Sequence, residues 1–177
     1  MSEFVVVGPL KIPVYRQKLG GKRINDDLAE FWESAEKAAV RTGITGIAKE
    51  KGCYVFGMRG RAITPYYVGR TTGQILSKEA FIPNNLTRYN KLLGERNGTP
   101  VMFLIVQNRT RGSANLKAIK AVEKFLIEQA YEKNPKGLLN KQNAKPPQWS
   151  IRGVIRTGGK GKSSKSSTQF KAMMGFD

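Results

Sequence analysis

Six apolar residues in a row, Val101-Met102-Phe103-Leu104-Ile105-Val106, follow Pro100 and constrain the fold more than any other stretch. A run of that length after a proline reads as a β-strand. No polar residue alternates with the apolar ones, so the strand is expected to be buried on both faces. The expected class is α+β, a small mixed or antiparallel sheet flanked by helices.

Cys53-Tyr54-Val55-Phe56-Gly57-Met58 and Pro65-Tyr66-Tyr67-Val68-Gly69-Arg70 are rich in aromatic and β-branched residues, with glycine, arginine and threonine between them. That pattern predicts a β-hairpin. A tight turn centred on Gly60-Arg61 sets Tyr54 directly opposite Tyr67. Directly opposed residues share a face, so both phenols point to one side of the sheet. An aromatic pair that only stabilises the sheet is the simpler account of these two residues taken alone.

Charge narrows the partners. Thirty-one Lys and Arg against thirteen Asp and Glu give a net charge of +18, with a pI near 10.2. Asp26, Asp27, Glu30, Glu33 and Glu36 crowd one N-terminal segment, whereas Lys133 to Phe176 holds ten basic residues and no acid. A polyanion is the expected partner, and no basic amphipathic helix with a strong apolar face directs that charge to a membrane. The 177 residues suit one domain with additions. A single cysteine allows no internal disulfide, and the lack of histidine speaks against zinc. There is no long apolar run and no basic-then-apolar leader, so a cytoplasmic protein is expected.

Phe4-Val5-Val6-Val7 and Lys11-Ile12-Pro13-Val14-Tyr15 read as two short strands broken at Gly8-Pro9. Asn25 or Asp26 caps a helix through about Arg41, with Leu28, Phe31, Trp32, Ala35, Ala38 and Ala39 at helical spacing. Thr71 to Lys78 opens a helical segment, and Asn84 to Leu93 reads as another after Pro83, ending at Gly94. Ser113 is the expected N-cap of a helix to about Lys133, with Leu116, Ile119, Leu126, Ile127 and Ala130 in one apolar stripe. Glu123 falls in the middle of that stripe. A carboxylate there is costly unless an arginine pairs with it or it holds a metal. Trp149 to Arg156 reads as a strand, and Thr157 to Thr168 as a flexible basic arm. The expected divisions are an extension over 1–48, a core domain over 49–145, and a C-terminal strand and tail over 146–177.

The triplets Gly52-Cys53-Tyr54 and Tyr67-Val68-Gly69 resemble the signature of the GIY-YIG nucleases, with Cys53 in place of the usual isoleucine. Glu123 with Leu126 and Ile127 is similar to the family's glutamate helix, and Leu138-Leu139-Asn140 to its closing segment. The resemblance covers roughly residues 50 to 145. It implies a DNA endonuclease with Glu123 holding one Mg²⁺ (or Mn²⁺), Tyr54 as general base, Tyr67 positioning water or phosphate, and Asn140 fixing local backbone or a site water. A phenol needs nearby cations to act as a base at neutral pH, and the basic surroundings are expected to supply them. The family's first-helix arginine is Ser77 here, so Arg70, Lys78 or Arg88 would take its part. Arg70, Arg88, Lys141, Lys145, Lys160, Lys162 and Lys165 are the expected nucleic-acid contacts. The alternative is a non-catalytic nucleic-acid-binding protein on a degenerate scaffold of this kind.

Overall fold

The apolar run forms β6 (Thr99–Gln107), with Pro100 to Val106 all buried. A computed structural model describes residues 2–18, 20–109, 112–140, 149–155 and 163–176. β6 pairs antiparallel with β4 (Gly52–Arg59) on one side and with β1 (Ser2–Lys11) on the other. β5 (Ile63–Arg70) lies outside β4, and β7 (Trp149–Ile151) pairs parallel with the start of β1. The sheet order is β5-β4-β6-β1-β7, and every other pairing in it is antiparallel. This is the expected α+β class.

Alternation along the strands divides the core in two. Val5, Val7, Tyr54, Phe56, Met102 and Leu104 face α1 (Ala29–Val40), α2 (Leu76–Glu79) and α3 (Pro83–Glu95). Phe4, Val6, Cys53, Val55, Val68, Phe103 and Ile105 face α4 (Leu116–Lys133) and α5 (Lys165–Met174). β6 is buried on both sides because helices cover both. No helix among the described residues is long and apolar enough to cross a membrane.

Several expected boundaries shift. β1 runs through Gly8-Pro9 instead of breaking there, because a bulge lets Leu10 and Lys11 rejoin Met102 and Val101. A separate two-stranded sheet then forms from β2 (Val14–Arg16) and β3 (Lys22–Ile24). The segment expected as an extension therefore supplies a strand between β6 and β7, and α1 packs Phe31, Ala35 and Ala39 against the sheet. The N-cap of α4 is Asn115, whose side chain accepts from the Ala118 amide, and Leu116 lies outside the apolar stripe at 44% exposure. β7 stops at Ile151, since the chain turns at Gly153 and Ile155 bridges back to Ile151. The basic arm is corrected as well. Its last residues, Lys165 to Thr168, begin α5, which buries Phe170, Met173 and Met174.

Candidate active site

The hairpin that carries both triplets is built around two one-residue slips. β4 and β5 pair with Tyr54 opposite Gly69 and Phe56 opposite Tyr67, so the expected Tyr54–Tyr67 register is not the one adopted. The loop from Arg59 to Ile63 holds three residues rather than two, and a bulge leaves Tyr66 as an extra residue beside Gly57. Either slip alone would turn Tyr67 to the other face. Together they cancel, and the two phenol rings share a face with centroids 6.3 Å apart.

The glycines of the triplets follow from close approach. A Cβ on Gly69 would collide with the Tyr54 ring, which passes over it, and one on Gly52 would collide with the Ile105 carbonyl of β6. Thr71 closes the base of the hairpin: its Oγ1 accepts from the Gly52 amide at 3.0 Å, and its own amide donates to the Gly52 carbonyl at 2.8 Å. Cys53, in the isoleucine position, points toward α4 and is fully buried, its Sγ 3.4 Å from the Ile119 carbonyl. Burial pushes its thiol well up.

Tyr54 is only 3% exposed. Its hydroxyl accepts from Asn85 Nδ2 at 2.9 Å and lies 3.4 Å from the Glu79 carbonyl. The expectation that surrounding cations depress this phenol is not met. Burial first, then the charges of Tyr67, Glu79 and Glu123, push it far above the ordinary range, while the Asn85 hydrogen bond acts the other way. Tyr67 is more accessible. Arg88 of α3 lies 5.4 Å from its ring centre and donates to its hydroxyl at 3.3 Å. Burial raises the Tyr67 phenol, Arg88 opposes that rise, and Glu123 and Glu79 add to it.

Glu123 and Arg70 occupy the opposite face of the same edge strand. Arg70 Nε donates to Glu123 Oε2 at 2.7 Å, with 25% of the arginine side chain and 14% of the glutamate exposed. The pairing satisfies the carboxylate that sequence placed on an apolar face. Burial raises the Glu123 carboxyl above its ordinary value, and Arg70, through charge and hydrogen bond, holds it back. Asn140 bonds the β5 backbone on both sides of one residue: Nδ2 donates to the Val68 carbonyl at 2.6 Å and Oδ1 accepts from the Val68 amide at 3.3 Å. Its position is that of a backbone clamp beside Gly69.

The structure thus brings Tyr54, Tyr67 and Arg88 to one face of β5, and Arg70 and Glu123 to the other, with the Glu123 charge felt by both phenols. Lys78 is exposed on α2, and Ser77 is half-buried beside it. Lys165 lies in α5, and Lys141, Lys145, Lys160 and Lys162 fall outside the described residues. Asn85 and Glu79 were not singled out from sequence. The signal for Asn85 was there: it lies in line with Tyr89, Leu92 and Leu93 on the buried stripe of α3, a polar side chain where only a partner would justify one.

Among the described residues no group of three or more His, Cys, Asp or Glu side chains gathers as a metal site. Glu123 is one carboxylate, already engaged by Arg70 through Oε2. That donor set fits a hard, largely hydrated cation of the Mg²⁺ type and no softer metal. No family model, curated protein or solved structure matches this chain.

Proposed function

We propose that this chain is a Mg²⁺-dependent DNA endonuclease whose reaction centre is the β5 edge. The carrying observation is the Arg70–Glu123 ion pair on an edge strand whose other face carries the Tyr54 and Tyr67 phenols. Phosphodiester hydrolysis needs a placed water, cations on the phosphate oxygens and relief of charge on the leaving oxygen. Arg70 and Arg88 flank β5 from its two faces and supply fixed guanidinium charge for the phosphate. Tyr67, with Arg88 against its hydroxyl, orients the attacking water. Tyr54 holds its proton at neutral pH and acts by position, through its contacts with Asn85 and Tyr67. Glu123 would hold the cation, which when bound supplies the charge relief. A cytoplasmic setting belongs to the same proposal and goes with a single cysteine kept as a buried thiol.

The test is nicking of supercoiled plasmid in Mg²⁺, with DNA binding followed separately by fluorescence anisotropy. Wild type should nick, and Glu123→Ala should lose nicking by about a hundredfold or more while still binding. Absence of nicking by wild type on single-stranded, duplex and branched DNA would sink the proposal. A second reading, DNA binding without hydrolysis, draws on the burial of Tyr54 and on Ser77 in the arginine position. It requires binding with no nicking by either protein.

A further inference from the structure

The far side of the sheet carries a second concentration of charge. β7 pairs only with Ser2 to Phe4 of β1, so beyond Phe4 this side of β1 has no strand neighbour among the described residues. The end of α1 and the first turn of α5 meet there. Two adjoining hollows of about 190 and 410 Å³ open between them, sharing Arg41, Thr42 and Ser164. Arg59 and Lys165 line the larger hollow, and Arg152, which is paired with Glu3, lines the smaller. Arg41, Arg59 and Lys165 are exposed, and among the described residues no carboxylate lines either hollow.

We propose that this groove binds the phosphodiester backbone of DNA, at a place separate from the β5 edge. Three cations from three different parts of the chain converge with no acid among the described lining residues, and their mutual repulsion is relieved by an anion. The first turn of α5, capped by Ser164, adds the positive end of a helix dipole. At the end of α1 two carbonyls are taken up within the chain. The Ala39 and Val40 carbonyls already accept from Thr42, Gly43 and Ile44. An extended peptide pairing with the open side of β1 is the competing occupant. Pro9 lacks the amide such pairing needs, and the bulge at Gly8-Pro9 breaks the register. Contacts made here are to phosphate and carry no base sequence. The groove reading rests on DNA as the partner but not on hydrolysis.

The experiment compares Arg41→Gln/Arg59→Gln/Lys165→Gln with a control of equal charge loss on the β2–β3 hairpin, Lys18→Gln/Lys22→Gln/Arg23→Gln. A short fluorescein-labelled duplex is titrated by anisotropy across a salt series, and thermal unfolding confirms that both variants are folded. Three phosphate contacts at about 0.9 each predict a salt slope shallower by about 2 to 3 for the groove variant, with affinity weaker by about tenfold or more at low salt. The control should keep the wild-type slope. Equal losses in both variants, or an unchanged slope in the groove variant, would overturn the proposal. The single change Lys165→Glu, on an exposed side chain, should weaken binding on its own, and failure to do so counts against the groove. If wild type never nicks, the binding comparison still decides the groove, so the two readings fail separately.

Discussion

Tyr54 and Gly69 are one unit at the level of single residues: the ring occupies the space that any side chain at 69 would need. Gly69→Ala should therefore destabilise the fold by about 1–3 kcal/mol, read as a lower urea midpoint, because the buried ring has little room to move. An unchanged midpoint would mean that the ring is not confined. The same burial has a consequence at high pH. Tyr54 and Tyr89 keep their protons in the folded state well above the ordinary phenol range. The unfolded chain sheds those protons near pH ~10, so stability should be intact below that pH and fall as pH rises toward the folded values. Tyr54→Phe should blunt the alkaline loss, read as a urea midpoint that falls less steeply with pH than that of wild type. The Glu123 position was legible because a charge at the centre of an apolar stripe demands an explanation. Its partner was not, since Arg70 lies 53 residues away and many arginines were available.

Elements show the same division between local signals and distant ones. β6, α1, α3 and α4 announce themselves through hydrophobic spacing, which a short window of residues contains. The hairpin register does not, because it depends on a three-residue loop and a bulge whose effects cancel only when counted together. Capping at the start of α4 is testable: Asn115→Ala removes the acceptor for the Ala118 amide and should cost about 1 kcal/mol. The C-terminal helix gives the sharper contrast. Glycine, serine and lysine dominate the approach to it and read as a flexible arm. Phe170 is nonetheless fully buried, its ring 5.1 Å from that of Phe103. Phe170→Ala should destabilise the whole domain by about 3–5 kcal/mol in urea unfolding. A dispensable tail would leave the midpoint unmoved.

At the scale of the molecule, the sheet separates two cationic regions, one around β5 and one beside the open stretch of β1. The net charge of the chain is +18. DNA affinity should therefore fall steeply with salt, and Glu123→Ala should leave that slope intact, since it removes no phosphate-facing cation. A flat salt response would remove the electrostatic basis of both readings. Amino-acid sequence by itself determined the α+β class, the doubly buried strand, the helices with clear spacing and the stock of candidate side chains. Each of these follows from side-chain character over a few neighbouring residues. Tertiary structure alone decided that Arg70 neutralises Glu123, that Asn85 holds the Tyr54 hydroxyl, and that α5 is a helix with a core to join. Those outcomes depend on surfaces supplied by distant parts of the chain, and burial, unlike periodicity, exists only once those surfaces meet.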